Sequence, residues 1–132
     1  MIKESAGVLI VNKQKRILLL KPSGKLDQSW SIPKGELDKG EDPLDAAARE
    51  LKEEAGIIVD KNKLSYLGEN KYKSGKKKIH AYFFNAKNLG NIIPKLNFEN
   101  KDYLWAELND AKTKVHEAQV GFVSLIEELL NG

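Results

Sequence analysis

The run Asp42-Pro43-Leu44-Asp45-Ala46-Ala47-Ala48-Arg49-Glu50-Leu51-Lys52-Glu53-Glu54-Ala55-Gly56 carries the signals of one complete helix. Asp42 is a good N-cap, Pro43 takes the first helical position, where its missing N–H costs little, and Asp45 imitates a capping box. Leu44, Ala48, Leu51 and Ala55 recur at helical spacing and predict one apolar stripe. Gly56 fits the position just past the end, where a left-handed backbone suits glycine. On this helix Glu50, Glu53 and Glu54 stand at i, i+3 and i+4, within about 100° of one another and away from the Leu44/Leu51 stripe. The spacing thus predicts one buried side and three carboxylates on another. Like charges so close destabilise an isolated helix unless a cation sits among them. An all-oxygen donor set of this kind suits Mg²⁺ or Mn²⁺ rather than zinc.

A glutamate-rich helix face is also a common solvated surface, so the wider register matters. Gly35 is followed after five residues by Glu41, and after seven more by Arg49-Glu50-Leu51-Lys52-Glu53-Glu54-Ala55-Gly56-Ile57. Seven fixed residues and two apolar ones therefore stand at set spacings over 23 positions. At roughly 6% frequency for each, chance agreement in one window is far below one in a million.

Outward from the helix, Ser5 to Val11 and Arg16 to Lys21 read as a β-hairpin around the polar turn Asn12-Lys13-Gln14-Lys15. Pro22 to Gln28 reads as a polar loop, and Trp30 to Pro33 as an extended approach to Lys34-Gly35. Leu64 to Gly68 and Ile79 to Ala86 are strand candidates around the lysine-rich loop Lys71 to Lys78, and Leu104 to Leu108 is another. A terminal amphipathic helix is predicted from about Glu117 to Leu130, with Ala118, Phe122, Leu125 and Leu129 on one face. Strands, helix, strands and helix together predict an α/β fold with a mixed sheet covered on both faces.

Composition narrows the class further. The chain of 132 residues, 41% hydrophobic and 31% charged, fits one domain spanning residues 1–132. It has no cysteine, which excludes a disulfide-stapled scaffold, a zinc ribbon and a cysteine nucleophile, and its two histidines, His80 and His116, make a poor metal cage. The N-terminal apolar run is too short for a signal peptide or membrane span, so the expected compartment is the cytoplasm and no membrane partner is expected. The formal net charge of +3 is spread along the chain, and Arg16 and Arg49 are its only arginines. Nucleic-acid surfaces lean on the arginine fork, so the overall charge reads as ordinary solubility.

The register from Gly35 to Ile57 resembles, without departure, the signature box of the Nudix hydrolases. The resemblance implies an α/β/α sandwich and a metal-dependent hydrolase of a diphosphate linkage in a nucleotide. Carried over residue by residue, it implies that Glu50, Glu53 and Glu54 ligate Mg²⁺, with Mn²⁺ as the alternative, and that one of the three also assists deprotonation of the attacking water. Gly35 would add a backbone carbonyl and allow a tight turn, Glu41 would be a supporting acid, and Arg49 would orient a glutamate through its planar fork. The chemistry is consistent with that implication, because metal ions neutralise a diphosphate ester that otherwise repels its nucleophile.

Three features outside the box bear on substrate. Trp30-Ser31-Ile32-Pro33-Lys34-Gly35 resembles an approach shared by hydrolases of dinucleoside polyphosphates, of diphosphoinositol polyphosphates and of RNA 5′ ends. Tyr82-Phe83-Phe84 beyond the lysine loop resembles a strand of the asymmetrical diadenosine tetraphosphate hydrolases. Glu99-Asn100-Lys101-Asp102-Tyr103-Leu104-Trp105 resembles their Glu-x-x-x-Tyr-x-Trp segment, although histidine is frequent there where Asn100 stands. These features nominate Lys34, Lys77, Lys78, Tyr82 and Tyr103 for substrate binding and Glu99 as a further metal ligand or base. Tyr82 reads equally as core, Lys76 to Lys78 as a solvated turn, Trp105 as buried area and His116 as surface. The expected substrate is diadenosine tetraphosphate, cleaved to ATP and AMP. The alternatives are a broader nucleoside triphosphate or RNA 5′-pyrophosphohydrolase, with nucleic acid bound only as an RNA 5′ end, and a non-catalytic nucleotide sensor.

Overall fold

The computed structural model describes residues 2–24 and 29–131. Strands β1 (Lys3–Val11), β2 (Ile17–Pro22), β3 (Lys34–Glu36), β4 (Ser65–Lys71), β5 (Lys77–Asn85) and β6 (Asn100–Ala106) form one mixed sheet. Its helices are α1 (Pro43–Ala55), α2 (Leu108–Lys114) and α3 (Glu117–Asn131), and a single 3₁₀ turn covers Lys61–Lys63. The sheet runs β4-β5-β1-β2-β6, and β3 pairs with β1 off this path. Among the described strands only β1 and β5 pair in parallel, in unbroken register from Lys3–Lys77 to Val11–Asn85. This is the expected α/β/α arrangement with a mixed sheet.

Strand alternation divides the core in two. Ala6, Val8, Ile10, Leu18 and Leu20 face α1 together with Tyr82 and Phe84. Leu9, Val11, Ile17, Leu19, Ile79 and Ala81 face Phe122, Val123 and Ile126 of α3. The Asn12 side chain fixes the β1–β2 turn by accepting from the backbone N–H groups of Gln14 (3.1 Å) and Arg16 (2.9 Å). Past Val11–Ile17 the two strands part, and residues 31–36 fill the wedge. Ser31 bridges Leu20, Val8 N–H donates to the Pro33 carbonyl, and β3 pairs with residues 5–7 of β1. That splay opens the sheet beneath the functional site.

Several elements differ from the sequence-based expectations. The last strand spans Asn100–Ala106 rather than Leu104 to Leu108, because residues 100–106 pair with β2 and Leu108 opens α2. The lysine-rich loop contracts to a hairpin turn, since β4 extends to Lys71 across a bulge between Tyr66 and Gly68 and β5 begins at Lys77. Along α3 the buried face is Ala118, Gln119, Phe122, Val123 and Ile126, whereas Leu125 and Leu129 lie toward solvent. Pro22 closes β2, and residues 25–28 of the predicted polar loop lie outside the described residues.

Candidate active site

Helix α1 forms as its caps dictate. The Asp42 carboxylate accepts from Leu44 N–H at 2.7 Å, and Gly56 takes the left-handed conformation at φ 68° while its N–H donates to the Lys52 carbonyl. The buried residues are Ala46, Ala47, Leu51 and Ala55, together with two of the three carboxylates, Glu50 and Glu54. This corrects the expectation of a fully presented acidic face. The helix lies across β1 and β3, so residues one turn apart on its flank are covered by β3 and by the chain entering β6.

Gly35 is the contact that makes this possible. It lies within β3, opposite Ala6, rather than in a tight turn. A methyl group there would overlap the Glu50 carboxylate and displace it, so glycine keeps that carboxylate in place through close approach and not through backbone freedom. Glu54 Oε1 accepts from the backbone N–H of Lys34 (3.3 Å) and the side-chain amide of Asn100 (3.4 Å). Burial pushes the Glu54 carboxyl up to about 7, with the neighbouring Glu50 charge adding to the rise. Burial also raises Glu50, opposed by Arg49 and reinforced by the charges of Glu53 and Glu99.

Arg49 gathers the remaining acids. Its Nε and Nη2 donate to the two carboxylate oxygens of Glu41 at 2.9 Å each, and Nη1 donates to Glu50 (2.6 Å) and Glu53 (3.0 Å). Nη2 also reaches the Glu36 carbonyl at 3.0 Å. The fork holds the Glu41 carboxyl down to about 2, with the Asp38 N–H as a second donor. Glu41 is therefore an anchor for Arg49, not a member of the acidic pocket.

Among the described residues, no three acidic or histidine side chains converge into a preformed cage. The physical reason is Glu53, whose side chain is half exposed and turned to Arg49. The donors that do suit a hard divalent ion are Glu50 and Glu54. Two carboxylates buried this deeply are costly unless protonated or neutralised by a cation.

A cavity of about 810 Å³ opens beside them, lined by Lys34, Gly35, Glu54 and Glu99 among others. Lys77 lines it too, next to its strand partner Lys3. Lys78 does not. Alternation along β5 sends it to the opposite face, where its ammonium meets Glu69 (2.9 Å) and Glu4 (3.4 Å).

Tyr82 shares that face and is 7% exposed in the core beneath α1, so the base-platform expectation for it gives way to the core reading. Tyr103 also lies outside the cavity, in a second cleft with Trp105 and the β1–β2 turn. Its partner in β2 is Leu20, which faces α1, and that pairing sets its direction.

The aromatic wall comes instead from Tyr72, which no motif singled out, from His116, expected at the surface, and from Trp30, expected only as part of the approach to Gly35. Tyr72, Trp30 and His116 line the cavity, and the Tyr72 and His116 rings pack with centroids 4.9 Å apart. The parity of the strands relative to the cavity was the missing signal for Tyr72. His116 is brought in by the Trp30–Val115 bridge and the hydrogen bond from its N–H to the Trp30 carbonyl. His80 proves to be a satisfied core histidine between Glu4 (2.9 Å) and Tyr66 (3.1 Å). Among the described residues, no helix is long and apolar enough to cross a membrane.

Comparison with known proteins bears on the family and the fold. The family model of the NUDIX domain matches residues 1–126. The chain is 32% identical over 131 residues to the asymmetrical bis(5′-nucleosyl)-tetraphosphatase of Caenorhabditis elegans, covering 92% of this chain and 91% of that protein. It is 27% identical over 124 residues to an RNA pyrophosphohydrolase of Pelagibacter ubique, covering 83% and 78% respectively. The crystal structure of a C. elegans Ap4A hydrolase binary complex superposes with a TM-score of 0.83 over 99% of both chains, at 29% identity.

Proposed function

The chain belongs to the Nudix family and is a pyrophosphohydrolase; within that class we propose that it hydrolyses dinucleoside polyphosphates, diadenosine tetraphosphate above all, to ATP and AMP. One observation carries the reading. The cavity that holds Glu54 and Glu99 continues into an aromatic wall of Trp30, Tyr72 and His116, with Lys3, Lys34 and Lys77 along it. It thus combines a base-stacking surface with cationic groups for a long polyphosphate. The similarity to the C. elegans tetraphosphatase supports the same substrate class.

In this reading Glu50 and Glu54 would hold the divalent ion, Mg²⁺ or Mn²⁺, with the Gly35 carbonyl, and Glu53 would be a third carboxylate donor. That ion would supply charge neutralisation along the phosphate chain and acidify water. Lys34 and Lys77 orient the chain, and the aromatic wall fixes one nucleoside. Glu99, at the cavity edge, takes the proton of the attacking water as its oxygen bonds to phosphorus. The bridging P–O bond breaks, and the leaving nucleotide keeps the electron pair on its terminal oxygen. Arg49 and Glu41 are positioning residues that hold the acidic flank of α1.

The test is a substrate panel of diadenosine tetraphosphate, ATP and 5′-triphosphorylated RNA with Mg²⁺, with products identified after reaction in ¹⁸O-water. We expect the highest kcat/KM for the dinucleotide, with AMP and ATP as products. The similarity to the P. ubique enzyme favours a second reading, RNA 5′-end pyrophosphohydrolysis, which faster release of pyrophosphate from the RNA would select.

A further inference from the structure

We propose that Phe98 is a specificity-determining residue, the platform for the second nucleobase of a two-ended substrate; this rests on the dinucleoside polyphosphate reading above. Phe98 lines the catalytic cavity beside Glu99, yet is 87% exposed, the highest among the exposed large hydrophobic residues described. The ring is not on a loose segment. Asn97 accepts from Glu99 N–H through its side chain (3.1 Å) and from Asn100 N–H through its carbonyl (3.3 Å), and Ser23 N–H donates to the Glu99 carbonyl (2.8 Å). Asn100 is buried against Glu54. Phe98 is therefore held at the apex of a fixed turn, its bare face at the cavity mouth one residue from a carboxylate of the site.

Tyr72 lies in the β4–β5 turn at one side of the sheet, and Phe98 leads into β6 at the opposite edge. At the cavity end β1 and β2 part around residues 31–36, so β5 and β6 are separated there by β1, that inserted segment and β2, four strand spacings or about 19 Å. The acidic residues and Lys34 lie on the chain between. A substrate with a base at each end and the scissile phosphates in the middle meets an aromatic at both sides; a mononucleotide leaves one of them bare. Base-on-aromatic stacking is strong enough for truncation of one ring to change binding by about tenfold or more.

The experiment compares Phe98→Ala, Phe98→Tyr and the parent on diadenosine tetraphosphate and on adenosine 5′-tetraphosphate, which has the same phosphate chain and one base. We expect Phe98→Ala to lower kcat/KM for the two-base substrate about tenfold and for the one-base substrate less than twofold, Phe98→Tyr to restore it, and the thermal midpoint to be unchanged. If the parent has the two-base advantage and Phe98→Ala keeps it, or loses rate equally on both substrates, the Phe98 assignment is overturned alone. If the parent has no two-base advantage, the dinucleotide reading itself fails and takes Phe98 with it. A Phe98→Ala variant that sediments as a smaller species than the parent would assign the ring to self-association, also against the proposal.

Discussion

Arg49 grips Glu41 with both arms of its guanidinium, Nε and Nη2 each donating at 2.9 Å to a separate carboxylate oxygen across eight residues of chain. The remaining nitrogen, Nη1, is then aimed at Glu50 and Glu53. The loop before α1 and the acidic flank of α1 are thereby one unit. Lysine carries the same charge but cannot make this fork. Arg49→Lys should lower kcat/KM by ~10-fold or more with an unchanged circular dichroism spectrum; kinetics equal to the parent would reduce Arg49 to a surface cation. Because Glu41 titrates lower in the fold than its usual 4.5, the pair contributes fully above that pH and is lost as pH falls toward about 2. Acid unfolding of Glu41→Gln should accordingly be less steep than that of the parent.

Gly35→Ala places a methyl group where the Glu50 carboxylate lies. Glu50 must then move, so divalent-ion affinity should fall with activity, and because only the end of a flexible side chain has to shift, stability should fall by no more than about 1 kcal/mol. Calorimetric titration with Mg²⁺ and a urea melt read the two effects. Parent-like Mg²⁺ binding would refute the close-approach account of Gly35.

Glu54 gives a pH signature of the opposite sign to Glu41. Its carboxyl is raised to about 7 in the fold against 4.5 when exposed, so between these values the native state binds more protons than the unfolded chain. Metal-free protein should therefore lose stability as pH rises from 4.5 to 7, and Glu54→Gln should flatten that slope. Mg²⁺ competes with the same proton, so its affinity should increase with pH through this window and its binding should release protons. Equal slopes in parent and variant would remove Glu54 as the titrating group.

Glu53→Gln tests whether the one acid turned toward Arg49 is recruited to the ion. Loss of a ligand charge should reduce turnover by at least ~10²-fold. Activity within about threefold of the parent would confine Glu53 to the Arg49 cluster and leave Glu50 and Glu54 as the carboxylate donors.

Tyr82 and Tyr72 should separate cleanly. Tyr82→Ala opens a cavity beneath α1 and should cost about 3 kcal/mol in a denaturant melt with little effect on substrate preference. Tyr72→Ala, at the cavity wall, should raise KM for nucleotide substrates several-fold. The reverse pattern would restore Tyr82 as the base platform.

The sequence by itself determined α1, its caps at Asp42 and Gly56, and the register of Glu50, Glu53, Glu54 and Arg49, because these are relations within a few residues along one helix. At Gly35 the expected tight turn gives way to a place within β3, and its close approach to Glu50 is a tertiary contact. Only the tertiary structure decided which carboxylates are buried, since β3 and Asn100, distant in sequence from α1, cover Glu50 and Glu54 but not Glu53. Only the sheet decided that Lys77 faces the cavity while Lys78 and Tyr82 do not. Alternation fixes that neighbouring side chains point to opposite faces, but which face is the site depends on the parallel pairing of β5 with β1 and on α1 lying across the other side. The same long-range docking brings His116 to Tyr72, a contact with no local signal, because 44 residues of chain separate the two rings.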